Sequence, residues 1–132
     1  MAVKGAVLGD ILGSQYEFWR PEDLDWKHVE LLRPDRAAFT DDTVMMLAIK
    51  KAILDGTDLV DTMVEIGRKY EDCGYGGTFY HWIITDNHNP YNSWGNGSAM
   101  TSFWLLLIQG AVGRGIFKWF FRGCSSETGR VL

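Results

Sequence analysis

Two adjacent carboxylates follow a threonine in the segment Phe39-Thr40-Asp41-Asp42-Thr43. One hydroxyl and two carboxylates are oxygen ligands of the kind that Mg²⁺ prefers, and neighbouring carboxylates repel each other unless a cation or hydrogen-bond donors intervene. The same residues also suit the start of a helix, where Thr40 would cap free amides and the aspartates would complement the helix dipole. The pattern leaves two interpretations open, a helix cap and a hard-cation site.

Two further acidic residues lie in the N-terminal segment GAVLGDILGSQYEF. Asp10 interrupts an otherwise apolar, glycine-rich helical pattern, and Glu17 follows two turns later. A charge on an apolar helix either lies at a solvated edge or is held by a partner. The sequence does not decide between these two environments for Asp10.

Two glycine-rich loops each precede a segment with helical character, GYGG at residues 74–77 and WGNGS at residues 94–98. Glycines leave backbone amides uncovered at a helix N-terminus, where phosphate oxygens bind well. One such loop is more often a turn with a cap. Two of them together with an acidic, metal-type motif indicate a site for a diphosphate and a metal ion.

The elements that would carry these motifs are helices. Hydrophobic periodicity predicts a helix over residues 3–13, a second from Thr40 to Gly56, and a third from the N-cap Asp58 to Gly74. Residues 16–39 and 86–97 are expected to be loops, the first with a short helical turn, and Ser98 is expected to begin a helix through Phe121. Strand signals are weak throughout, so the predicted class is all-α.

Glycines recur at every fourth position of the first predicted helix, at Gly5, Gly9 and Gly13. They form a seam without side chains, along which another backbone could approach closely. Because each glycine costs about 1 kcal/mol of helix stability relative to alanine, such a seam requires a packing or ligand reason.

Composition narrows the range of partners. The 132 residues carry 13 basic and 17 acidic side chains, a net charge of −4, which gives no electrostatic footprint for nucleic acid or for an anionic membrane surface.

The apolar stretch 99–112 contains polar residues, and extending it to a spanning length includes Arg114 and Lys118, so a buried helix is favoured over a membrane span. Two cysteines without zinc-type spacing, and no secretory signal, indicate free thiols in a cytoplasmic protein.

Taken in order, the motifs GAVLGDILGSQYEF, FTDDT, GYGGTF and SWGNGSAM resemble the ADP-ribosylglycohydrolase family, which includes the dinitrogenase-reductase-activating glycohydrolases. The resemblance covers residues 4–100. It implies an orthogonal, all-α helical bundle. It also implies an enzyme that uses one or two Mg²⁺ ions to release ADP-ribose from a modified protein side chain or a small adduct.

The same resemblance implies roles for individual residues. Thr40, Asp41 and Asp42 match the family's N-terminal metal ligands, and Glu17 matches its glutamate near the reacting ribose. Catalytic roles therefore fall to Glu17, Asp41 and Asp42, with the general base left open among them. The residues that match ADP-ribose-binding segments are Gly76, Gly77, Gly95, Asn96, Gly97, Ser98 and Met100.

The chain departs from the family pattern after Met100. Family members are longer and carry a second set of metal ligands, an Asp-x-Asp-Ser/Thr motif, which does not occur in this sequence. We therefore expect residues 1–100 to be the N-terminal part of a C-terminally truncated domain, residues 101–132 to be a divergent, helical apolar tail, and the second ion site to be incomplete. Core surface left without a partner would favour self-association. Two hypotheses remain, an active hydrolase and a non-catalytic remnant or ADP-ribose-binding module.

Overall fold

The computed structural model describes residues 2–17, 25, 27, 29, 30, 33–91, 93 and 97. Within this part the chain forms four helices and no strand: α1 (Ala2–Glu17), α2 (Asp41–Asp55), α3 (Leu59–Lys69) and α4 (Gly77–Ile84). The predicted all-α class is confirmed. None of these helices is both long and apolar enough to cross a membrane. The helix expected from Ser98 and the apolar tail lie outside the described residues.

Both predicted ends of α2 are confirmed. Thr40 is the N-cap, and its side chain accepts a hydrogen bond from the backbone N–H of Asp42. Gly56 ends the helix in the left-handed conformation, with φ of 66°, which glycine adopts without steric cost. The N-cap of α3 is Asp58, as predicted, and its carboxylate accepts from the backbone N–H of Asp61.

The C-terminal end of α3 differs from the prediction, because the helix ends at Lys69 and does not continue to Gly74. Tyr70 leaves the helical conformation, with φ of −131° and ψ of 51°. Its ring packs edge-on against Phe39, with ring centroids 6.2 Å apart. A contact with a residue remote in sequence therefore accompanies the end of the helix, and periodicity along α3 carries no sign of it.

The described core lies between α2, α3 and α4. At Gly67 of α3, a Cβ atom would lie 3.0 Å from Cδ1 of Ile83, so α3 and α4 pack closely there. Arg68 fixes the end of α4 by donating from its Nε to the backbone carbonyl of Ile83. The buried core residues are Val44, Met45, Ala48, Ile49, Met63, Val64, Trp82 and Ile83.

Helix α1 is longer than predicted and is attached by polar contacts. It extends to Glu17, and none of its apolar side chains belongs to the described core. Instead, the Tyr16 hydroxyl donates to the carbonyl of Glu30 at 2.7 Å, and the Ser14 hydroxyl accepts from the N–H of Ala38 at 3.2 Å. These bonds to a distant loop support the last turn of the helix, which is why local periodicity alone ended it too early.

The glycine seam of α1 has no close neighbour in the part of the chain that the structure describes. A Cβ atom placed at Gly5, Gly9 or Gly13 would meet no heavy atom within 4 Å there. The expected close approach of another backbone is therefore not found among these residues.

Candidate functional site

The first turn of α2 is joined to α1 by a group of hydrogen bonds centred on the half-buried Asp10. Its Oδ2 accepts from the backbone N–H of Thr40 at 2.8 Å and from the hydroxyl of Thr43 at 2.5 Å. Its Oδ1 accepts from the hydroxyl of Thr40 at 2.7 Å. Of the two environments open to Asp10, the structure shows the one in which a partner holds the carboxylate.

Three more carboxylates approach this position, on Glu17, Asp41 and Asp42. The pKa of Asp41 is raised from 3.8 to about 6, chiefly by burial and then by the negative charges of Asp42, Glu17 and Asp10, in that order. Burial also raises the pKa of Asp42, followed by the charges of Asp10 and Glu17. The structure therefore brings together the acidic residues that the sequence placed at two distant positions.

These pKa shifts bear on the two interpretations of the FTDDT motif. Thr40 does cap α2, since its Oγ1 accepts from the N–H of Asp42 at 3.3 Å. A carboxylate stabilised by a helix dipole and by amide donors would have a lowered pKa. Asp41 and Asp42 instead have raised pKa values, because burial and like charge outweigh the cap. The cap is present, and it leaves negative charge that a cation, a further hydrogen-bond donor or protonation would relieve.

The GYGG loop lies beside this acidic group. The backbone N–H of Asp41 donates to the carbonyl of Cys73 at 2.8 Å, which fixes the start of the loop against the first turn of α2. Gly76 is the N-cap of α4 and Gly77 its first residue, and no side chain caps this helix. Both glycines are exposed. The N-terminal amides of α4 thus have no protein side chain as acceptor at the cap.

Not all of the predicted binding residues can be placed. Gly97 is described and exposed. Its neighbours Gly95, Asn96 and Ser98 lie outside the described residues, as does Met100. The second glycine-rich loop therefore stays a prediction.

Two residues near the site were not assigned to it from the sequence. Asp10 was visible as a charge in an apolar helix, and only the three-dimensional contact identifies Thr40 and Thr43 as its partners. The hydroxyl of Tyr75, in the GYGG loop, is buried and has no hydrogen-bond partner among the described residues. Burial raises the pKa of Tyr75, and the nearby Cys73 and Asp41 add to the effect. No pattern in the sequence indicated that this hydroxyl would be buried.

The donor set at the start of α2 suits a hard cation in chemical type, because it consists of oxygens with uncompensated negative charge. In the described part of the chain, however, no three His, Cys, Asp or Glu side chains are arranged to hold a metal ion. Mg²⁺ commonly binds through one or two carboxylates and keeps several waters. Thr40, Asp41 and Asp42 therefore fit a partial Mg²⁺ ligand set that water or a ligand would complete.

Comparison with known proteins gives one match. A family model described as ADP-ribosylglycohydrolase matches residues 1–122. The match extends past residue 100, where the quoted motifs end, and the expected division of the chain at that residue stays a prediction. No curated protein and no solved structure matches the chain.

Proposed function

The chain belongs to the ADP-ribosylglycohydrolase family, and on that premise we propose that it is a Mg²⁺-dependent hydrolase of the bond between ADP-ribose and a modified protein side chain or small adduct. The family suggests glycohydrolase activity on ADP-ribose and, in general, dependence on a metal ion. The identity of the ion, the residues that hold it and the class of adduct are parts of this proposal.

The observation that carries the proposal is the unbalanced negative charge at the start of α2. Asp41 and Asp42 are half-buried, each has a raised pKa, and Glu17 and Asp10 add like charge to both. No described basic residue forms an ion pair with either aspartate. A divalent cation would relieve the repulsion and the cost of burial together.

In this proposal Thr40, Asp41 and Asp42 hold the Mg²⁺ ion. When bound, such an ion orients ribose hydroxyls and lowers the pKa of a water molecule. The hydroxyl of Thr40 is available as a ligand because its proton is donated to Asp10. Waters and substrate oxygens would supply the remaining ligands.

The protein's own residues supply the remaining chemistry. Cleavage of a ribosyl bond develops positive charge at the anomeric carbon, which nearby carboxylates stabilise. Glu17, exposed at the end of α1 and close enough to affect both aspartates, orients the ribose or the attacking water. One of the three carboxylates accepts the proton of that water. The uncapped N-terminal amides of α4 bind the diphosphate.

A second candidate function is binding of ADP-ribose without turnover. It is favoured by the absence, among the described residues, of a cluster of three metal-ligating side chains. The sequence also lacks the Asp-x-Asp-Ser/Thr motif that the family resemblance implies as the second ligand set. In this case the glycine loop would bind the nucleotide, while the acidic group would be too incomplete to hydrolyse it.

The two functions are distinguished by the release of ADP-ribose from peptides ADP-ribosylated on arginine or on serine, in Mg²⁺ and in chelator. We expect turnover in Mg²⁺ that Asp41→Ala lowers about 100-fold or more, because it removes a proposed ion ligand. Asp61→Ala is the matched control, since Asp61 is an exposed acidic residue in the first turn of α3. Folded protein that binds ADP-ribose and releases none from either peptide would contradict the hydrolase and support the second candidate.

A further inference from the structure

The carboxylate of Asp10 fixes the direction of the Thr40 hydroxyl. A threonine hydroxyl has one proton to donate and two lone pairs to accept with. The Thr40 proton is committed to Oδ1 of Asp10 at 2.7 Å, and one lone pair accepts from the N–H of Asp42 at 3.3 Å. The remaining lone pair is free to bind a further group, and the hydroxyl can act toward that group only as an acceptor.

The orientation of the Asp10 side chain is determined by a hydrogen bond whose direction is fixed. A carboxylate is purely an acceptor, and its Oδ2 faces the backbone N–H of Thr40 at 2.8 Å, a group that can only donate. The hydroxyl of Thr43 supplies a second bond to the same oxygen. Oδ1 is therefore held facing Thr40 Oγ1, which donates its proton to it.

We propose that Asp10 is a positioning residue for the ion site: it holds the Thr40 hydroxyl so that an oxygen lone pair, and not a proton, is presented to the cation. This inference rests on the proposed function, because it assumes that Thr40 is an ion ligand. It extends that function to a residue outside the ligand set. Partners of this kind, hydrogen-bonded to a ligand, orient it and commonly contribute 10- to 100-fold to metal affinity.

The variant Asp10→Asn distinguishes two roles of Asp10, orienting the Thr40 hydroxyl and attaching α1 to the start of α2. If the asparagine carbonyl takes the place of Oδ2, the bonds from Thr40 N–H and Thr43 are retained. The side-chain NH₂ then faces Thr40 Oγ1 and donates to it, so that the Thr40 proton is turned away from Asp10. The opposite amide orientation would place NH₂ against the backbone N–H of Thr40, two donors facing each other. The shape is kept while the polarity of the Thr40 hydroxyl is reversed.

The test is calorimetric titration of the folded protein with Mg²⁺ or Mn²⁺ alone, without substrate. We expect Asp10→Asn to weaken ion binding about 10- to 100-fold. Removing a negative charge also weakens cation binding, so the same substitution is made in a Thr40→Val background. If Asp10 acts through the Thr40 hydroxyl, Asp10→Asn lowers the ion affinity much less in the Thr40→Val background than in the unsubstituted protein. The four proteins together form a double-mutant cycle.

Two more variants complete the design. Ser14→Ala removes the bond by which the N–H of Ala38 ties the loop to α1, without touching Thr40, and is expected to bind the ion within about twofold of the unsubstituted protein. Asp10→Glu retains an acceptor-only carboxylate and should recover part of the affinity that Asp10→Asn loses. Urea unfolding in chelator establishes that each variant is folded.

Three results would overturn the inference. The first is an equal loss of ion affinity from Asp10→Asn with and without the Thr40 hydroxyl, which would mean that Asp10 acts on the ion only through its negative charge. The second is unchanged ion affinity in Asp10→Asn, or a Glu variant as weak as the Asn variant. The third, no ion uptake by the folded unsubstituted protein, removes the ion site of the proposed function and the inference with it, and is distinguishable from the other two.

Discussion

At the scale of single residues, the charge on Asp41 is the feature with the clearest thermodynamic consequence. Its pKa is raised to about 6 in the folded protein, first by burial and then by the charges of Asp42 and Glu17. The folded protein therefore binds this proton more tightly than the unfolded chain does. Protonation of Asp41 therefore stabilises the folded protein. This contribution to the free energy of unfolding is fully present below about pH 3.8 and is lost as the pH rises through about 6.

We accordingly predict that the change in the free energy of unfolding caused by Asp41→Asn in the metal-free protein is more favourable at pH 7.5 than at pH 4. The expected difference in the free energy of unfolding is on the order of 1 kcal/mol, less than the pKa change alone would give, because solvent screens a half-exposed carboxylate. Urea unfolding in chelator at the two pH values measures it. An effect of Asp41→Asn on the free energy of unfolding that is the same at both pH values would contradict the electrostatic account of the site.

At the scale of helices, the contact between α3 and α4 depends on a glycine. A Cβ atom at Gly67 would lie 3.0 and 3.1 Å from two methyl carbons of Ile83 and 3.3 Å from Cε of Met45. Ile83 is fully buried and is branched at Cβ, so it has little freedom to move aside. Gly9 of α1, by contrast, has no described atom close to it.

The two glycines should therefore respond in opposite directions to alanine. Gly67→Ala gains about 1 kcal/mol of helix propensity and loses about 1 to 3 kcal/mol to overpacking, so we predict net destabilisation of about 1 kcal/mol. Gly9→Ala should stabilise the protein by up to about 1 kcal/mol. Urea unfolding of both variants is the measurement. A Gly67→Ala variant as stable as Gly9→Ala would show that α3 and α4 do not pack as closely as described.

The helices also show how far the sequence predicts this fold. Both ends of α2 could be predicted, because Thr40 and Gly56 act through local backbone chemistry. The last turn of α1 and the end of α3 could not, since Tyr16 bonds to Glu30 and Tyr70 packs against Phe39, contacts between segments far apart in the chain. Tertiary contacts of this kind override periodicity.

The candidate site follows the same division. Residue type and spacing singled out Thr40, Asp41 and Asp42 as either a helix cap or a cation site, and the family resemblance implied the cation site. The family resemblance added Glu17, and the structure places its charge near both aspartates. The role of Asp10 was not predictable, because its three hydrogen bonds reach residues at least 30 positions away.

At the scale of the whole described part of the chain, the site lies between three helices that share an apolar core and one helix that is held by hydrogen bonds. Helices α2, α3 and α4 share an apolar core, whereas α1 is held by hydrogen bonds in which Asp10 and Ser14 accept and Tyr16 donates. The acidic group is formed by α1 and the start of α2, and the loop before α4 is joined to it through Cys73. This arrangement brings a proposed ion site beside proposed diphosphate-binding amides, as we propose for a site that binds ADP-ribose.

Calorimetric titration of folded protein with ADP-ribose, in Mg²⁺ and in chelator, tests this combination most directly. The account predicts that ADP-ribose binds in Mg²⁺ and that chelator or Asp41→Ala weakens binding about 10-fold or more, while Asp61→Ala does not. Folded protein that takes up no ADP-ribose in the presence of Mg²⁺, or takes it up equally well with Asp41 replaced, would contradict the account.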